Sequence, residues 1–215
     1  MTRLAPKPPS RSAAKIKRIA RGLFAERGVD GVSVREIAEA AGQKNHAAVA
    51  YYFGSKEALV REIILDGAAA IDEKRNAMLD AVEAEGRPLE LIDIVRVLIY
   101  SSVDFGPPDE VASYNRFIVL VDMTHREFFL ETLEGRGDKG YLRCFEHLRR
   151  LMPDMPEKRK TQRLVFVGRY LGAVLSARET KLEDRSRAHP FWEDEETLDH
   201  FAETIVAILR SDSGR

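Results

Sequence analysis

Apolar side chains recur with a helical period almost from one end of this chain to the other. Ile16, Ile19, Ala20, Leu23 and Phe24 stand at i, i+3, i+4, i+7 and i+8, the signature of one buried helix face. Lys15, Lys17, Arg18 and Arg21 take the opposite side, and Gly28 supplies a stop. Ser33-Val34-Arg35-Glu36 reads as a capping box, the serine hydroxyl serving the backbone N–H of Glu36 and the glutamate reaching back. It predicts a second helix with Val34, Ile37, Ala38 and Ala41 on its buried face and Gly42 at its end. After the polar turn Gln43-Lys44-Asn45, Asn45 is placed to cap a third short helix running through Tyr51, with Val49 and Phe53 facing inward.

From Ser55 onward the period stays helical. Leu59, Ile63, Ala70 and Ile71 begin a long helix reaching about Glu85, where Gly86 and Pro88 break it. Leu91 to Val103 form the next, closed by Gly106-Pro107-Pro108; Val111 to Val121 another, extended by Phe128 to Leu133 up to the glycine-rich "GRGDKG". Tyr141, Phe145, Leu148 and Leu151 mark a further helix before "MPDMP", and two long helices, about 157 to 184 and 194 to 210, finish the chain. No run alternates as a strand would. The pattern predicts an all-α protein: residues 1–56 as a basic arm and three-helix unit, residues 57–215 as a helical body.

Charge divides the chain at the same place. Residues 1–56 hold eleven lysines and arginines against four acids, a net +7, so the remainder carries about −8 of the overall −1. A basic head on an acidic body points to polyanion binding by the head. The longest apolar runs fall far short of the roughly 20 residues a membrane span needs, and the N-terminal MTRLAPKPPSRS lacks the apolar core of a secretory signal. Cys144 stands alone, without a partner for an internal disulfide, which fits a reducing cytoplasm. No phosphate-cradling glycine loop, nucleophile elbow, paired-cysteine metal site or HExxH occurs, and the histidines are scattered singles; neither enzyme chemistry nor a cofactor is expected.

Two short helices joined by a glycine-containing turn make a helix-turn-helix. A helix that enters a major groove about 12 Å wide needs small residues on its outer face and a few polar tips near its start. Ala47, Ala48 and Ala50 supply the first, and Gln43, Lys44, Asn45 and His46 the second.

"IKRIARGLFAERGVDGVSVREIAEAAG" followed by "YYFGSKEAL" resembles the N-terminal domain of the tetracycline-repressor (TetR) family of bacterial regulators, over residues 16 to 59. One departure stands out. Between Gly42 and Phe53 lie ten residues, one more than the commonest form, and Gln43-Lys44-Asn45 replaces its usual Val-Ser. The resemblance implies a dimeric transcriptional regulator, with double-stranded operator DNA and a small-molecule effector as partners. It places Ser33, Tyr52 and Lys56 at phosphates, and Gln43, Lys44, Asn45, His46 and Ala47 at the bases, with Arg35 and Tyr51 beside them. A DNA-binding protein acting without an effector is the alternative.

For the body, aromatic and flexible side chains on several helices are candidates for an effector pocket: Tyr100, Phe105, Tyr114, Phe117, Met123, Phe128, Tyr141, Phe145, Phe166 and Tyr170. Arg116 and Arg169, inside otherwise apolar stretches, are candidates for an anionic group on the ligand. The last two helices carry more apolar residues than one stripe requires. Leu164, Gly168, Gly172, Leu175, Phe201, Ile205 and Leu209 are therefore assigned to a dimer seam, the glycines allowing close approach.

Overall fold

The computed structural model describes residues 10–103 and 112–211, and every regular element among them is helical. Three short helices form the head: α1 (Arg11–Arg27), α2 (Val34–Ala40) and α3 (Ala48–Phe53). The 29-residue α4 (Lys56–Ala84) then runs from the head into the body. It is followed by α5 (Leu91–Ser101), α6 (Tyr114–Thr124), α7 (Arg126–Leu133), α8 (Lys139–Leu151), α9 (Glu157–Leu182), the single turn α10 (Pro190–Glu193) and α11 (Glu195–Arg210). Among the described residues no helix is long and apolar enough to cross a membrane.

Two apolar clusters hold these elements. One gathers Ile16, Ala20 and Phe24 of α1, Ile37 of α2, Val49 and Phe53 of α3 and the first half of α4, and continues without a gap into Tyr114, Phe117 and Val121 of α6. The other joins Leu79 near the end of α4 to α5, α8, α9 and α11. Long α4 thus threads both cores, and α6 closes the first against α9 of the second.

The contact between α4 and α6 depends on a missing side chain. A Cβ on Gly67 would stand 2.0 Å from Cε2 of Tyr114, whose hydroxyl donates to the Ile64 carbonyl at 2.7 Å. Only glycine leaves room for that ring.

Several buried charges are also structural. Arg163 donates to the carbonyls of Leu209 at 3.0 Å and Ser211 at 2.5 Å, satisfying orphan acceptors at the end of α11. Arg75, buried in α4, donates to the hydroxyls of Ser101 and Ser102 at 3.0 and 3.1 Å. Burial lowers its pKa.

Most predicted spans match the structure, but one face and one boundary do not. Val34 is exposed, not buried, on an α2 of only seven residues. The third helix starts two residues late, at Ala48, and runs through Phe53. The Gly106-Pro107-Pro108 break and Val111 lie outside the described residues.

Candidate nucleic-acid interface

The head presents its polar loop between α2, whose start is fixed by a capping box, and α3, which is preceded by a turn that Asn45 closes. Ser33 Oγ accepts from the Glu36 N–H at 3.2 Å, and Glu36 Oε2 accepts from the Ser33 N–H at 2.8 Å, so the capping box forms as the spacing predicts. Arg27 closes the box from α1, its Nη1 2.9 Å from Glu36 Oε1. The Ser33 backbone and hydroxyl, then Arg27, pull the Glu36 carboxyl down to about 2. Since the Ser33 oxygen only accepts within the box, its own proton stays available to a phosphate.

Gly42 turns the chain with φ 69°, and the Gln43 N–H returns to the Ala38 carbonyl at 2.9 Å. Asn45 is not the cap of α3, whose N-cap is Ala47 with no side-chain bond; Asn45 instead closes an Asx turn before it. Its Oδ1 accepts from the Ala47 N–H at 2.8 Å, and its carbonyl accepts from the Ala48 N–H at 3.0 Å. Lys44, Asn45, His46, Ala47 and Ala50 are exposed, and Gln43 is half-buried. Ala48 corrects the reading of three outward alanines: it is buried with Val49 and Phe53, and only Ala47 and Ala50 remain outside. Tyr51 is 81% exposed and meets half-buried Tyr52 edge to face at 4.9 Å.

Lys56 and Arg35 have partners of their own. Lys56 Nζ donates to the carbonyls of Val29 and Val32 at 3.0 and 3.1 Å, bracing the loop between α1 and α2. Arg35 pairs with Glu39 one turn on, at 2.8 Å, and Glu39 also lies 3.9 Å from His46.

A feature not assigned as a site from the sequence is the outer side of α1. Arg11, Lys15, Lys17, Arg18 and Arg21 line a groove of about 470 Å³ against Ile63, Asp66 and Gly67 of α4. Lys17 is bound within it by Asp66 at 2.6 Å and Glu62 at 2.9 Å. Lys15 reaches the other way, its Nζ 3.4 Å from where a Cβ on Gly42 would lie. The basic face of α1 therefore runs up to the helix-turn-helix turn. Its signal in the sequence was the charge run itself.

The body residues separate into groups rather than lining one chamber. Tyr114 and Phe117 belong to the core shared with the head, where Phe117 stacks on Phe24 at 6.1 Å. Phe128 packs under the Arg61 guanidinium at 4.7 Å. Tyr141 and Phe145 pack ring to ring at 4.2 Å. The Tyr100 hydroxyl donates to Asp199 at 3.1 Å, and the Tyr170 hydroxyl meets Thr204 at 3.3 Å. Phe105 lies outside the described residues. Met123 and Phe166 are 74% and 61% exposed, so neither lines an interior wall. Arg169 is exposed too, paired with Asp122, whereas Arg116 is buried.

The dimer assignment needs the larger correction. Leu164, Leu175, Phe201, Ile205 and Leu209 are all buried in the chain's own second core. Gly168 and Gly172 face Tyr141 of α8 and Val119 of α6, 3.1 Å from a hypothetical Cβ in each case, so the small-residue ridge serves packing within the chain. The exposed apolar residues of α9 are instead Val165 and Phe166.

Residues 16–63 match the family of bacterial regulatory proteins, tetR family. No curated protein matches the chain in sequence. Among solved structures, a putative tetR family transcription regulator from a Shewanella species superposes with a TM-score of 0.59 at 14% identity, over 91% of this chain and 96% of that one. The TetR family transcriptional regulator PfmR from Thermus thermophilus gives 0.55 at 19% identity, over 94% and 97%. The fatty acid degradation regulator FadR from Bacillus halodurans gives 0.54 at 16%, over 97% and 100%. Residues 16–63 thus carry the helix-turn-helix segment of the tetR family, and the chain as a whole shares the all-helical fold of these structures.

Proposed function

We propose that the chain acts as a dimeric transcriptional repressor, binding a near-palindromic operator and releasing it when a small molecule occupies the body. The observation that carries the DNA-binding part is the exposed, capped polar turn from Gln43 to Ala47 beside the basic face of α1. In this reading Gln43, Lys44, Asn45, His46 and Ala47 meet base edges, while Ser33, Tyr51, Tyr52, Lys15 and Arg18 hold phosphates. Phosphate contacts position and base contacts specify. Arg35 and Lys56, both engaged inside the head, orient those groups and have donors left for phosphate.

One helix-turn-helix reads only a few base pairs, so affinity calls for two copies with recognition helices about 34–36 Å apart. The surface that suits the second copy is the outer side of α9, where Val165 and Phe166 stand 54% and 61% exposed. Release has a physical route through α6. Its Tyr114 and Phe117 pack into the head, Arg21 of α1 donates to Ser113 at its start at 3.0 Å, and its other side lies along α9. A ligand that shifts α6 must therefore shift the head.

Fluorescence anisotropy with genomic fragments tests the reading. Binding should be tight at low salt and weaken steeply as salt rises, because counterion release supplies much of the affinity. Absence of binding to any fragment at low salt overturns it.

A further inference from the structure

Arg116 is only 7% exposed, and one of its three guanidinium nitrogens is used. Nη1 donates to Glu183 at 2.7 Å. Nε and Nη2 are both buried and have no hydrogen-bond partner. Buried donors are nearly always paired, because leaving one unmade forfeits its hydration without return. These two orphans are not scattered. Nε–H and Nη2–H are neighbours on one edge of the planar group and point the same way, forming the fork that takes two oxygens of a carboxylate or phosphate at once.

The surroundings are organised around charge. Glu179, buried beside it, accepts from the backbone N–H groups of Asn115 and Arg116 at 3.1 and 2.9 Å and from Asn115 Nδ2 at 2.9 Å. Burial pushes the Glu179 carboxyl up, against those three donors that favour its ionised form. Asn115 Nδ2 also donates to the Ser102 carbonyl at 2.9 Å, and the Ser102 hydroxyl receives Arg75 of α4. A continuous polar seam thus links α9, the first turn of α6, the end of α5 and the spine helix α4. Glu183 is its outermost member, with its side chain 37% exposed, so the guanidinium lies one side chain below the surface.

We infer that the free edge of Arg116 is the receptor for an oxyanion head group, a carboxylate or phosphate, on the small effector of this protein, with Glu183 as the acid that guards the entrance. The inference rests on the effector-released regulator described above. It names the chemistry of the ligand and the side chain that recognises it. Arg116 sits in the first turn of α6, so an anion drawing on its guanidinium acts on the helix that packs against the head. Glu183 and Glu179 both repel the incoming charge, which makes an unguarded site the tighter one.

Thermal melting of the full chain in sodium acetate, sodium phosphate and sodium chloride at matched ionic strength tests the site without DNA. Wild type should melt a few degrees higher in acetate or phosphate than in chloride, the size expected for one site filled at about ten times its dissociation constant in a chain of this length. Response to acetate alone identifies a carboxylate receptor, and response to phosphate alone a phosphate receptor. Glu183→Gln should lower the half-saturating anion concentration several-fold. Arg116→Met, which keeps the apolar stem, should abolish the difference between anions. Equal anion responses in wild type and Arg116→Met overturn the inference. Should that variant fail to fold, an unchanged half-saturation in Glu183→Gln overturns it instead. Release from DNA is measured separately: an anion that binds through Arg116 yet leaves DNA affinity unchanged supports the site and overturns the effector-release reading.

Discussion

Lys56 Nζ donates to two backbone carbonyls of the loop that precedes α2, Val29 and Val32. Hydrogen bonds from a charged donor contribute about 1.5–3 kcal/mol each. Replacement by alanine removes both and is therefore expected to destabilise the fold by about 3 kcal/mol in urea titration, besides weakening all DNA about equally. Lys44 is exposed on the polar turn. Lys44→Ala should leave stability within about 0.5 kcal/mol and change sequence preference. Lys15→Ala should lower the slope of log affinity against log salt by about one, as one phosphate contact fewer requires. Glu36 gives a pH signature. Its carboxyl, at about 2 against an ordinary 4.5, binds its proton more weakly folded than unfolded. Its contribution is thus complete above pH 4.5 and is lost as pH falls toward 2. Glu36→Gln should flatten the acid limb of stability in that window. Ser33 and Glu36 were legible in the sequence because a capping box is defined by its own spacing. Val34 and Ala48 were not: helices of seven and six residues span under two turns, too few to fix which way a face points.

At the scale of elements, the long helices were legible and their outward faces were not. Helix α9 is apolar at Leu164, Val167, Leu171 and Leu175, which are buried, and also at Val165 and Phe166, which are exposed. Periodicity reports both sets and cannot say which side meets α6, α8 and α11. The glycines of α9 show the consequence. With Val119 of α6 3.1 Å from a Cβ on Gly172, Gly172→Leu should strain the α6–α9 seam and lower the melting temperature, whatever its effect on assembly. Gly67→Ala is the sharper case, because the new methyl meets the buried Tyr114 ring. Overpacking of this kind costs about 1–3 kcal/mol, roughly 2–4 °C of melting temperature per kcal/mol in a chain of this length. The same substitution should alter DNA affinity, since Tyr114 bonds Ile64 on the helix that follows the head. A Gly67→Ala protein with wild-type melting and DNA binding would show that α4 and α6 are not rigidly joined.

Across the whole molecule, charge and composition announced a basic head on an acidic body, but not that the two share one apolar cluster. Phe117, distant in sequence from α1, stacks on Phe24, a pairing that no local pattern encodes. The proposed assembly of two copies is placed by what the chain leaves uncovered. Its own core consumes the residues first assigned to a dimer seam, so substituting Ile205 or Leu209 should unfold the body rather than separate protomers. Phe166 is different. A ring 61% exposed, beside Val165 at 54%, contributes little to the single chain's stability, yet an aromatic anchor of this kind can dominate an interface. Arg169, one turn further along α9, pairs with Asp122 of α6, whose next residue is the exposed Met123. The apolar surface of α9 thus continues toward the end of α6. Phe166→Glu should keep helical content and melting close to wild type while placing a charge in the centre of this surface. Sedimentation should then show a monomer for the variant and a dimer for wild type at micromolar concentration. Operator affinity should fall toward the non-specific level, because a single head retains its phosphate contacts but loses the second half-site. A Phe166→Glu protein that remains dimeric would move the interface away from this face of α9.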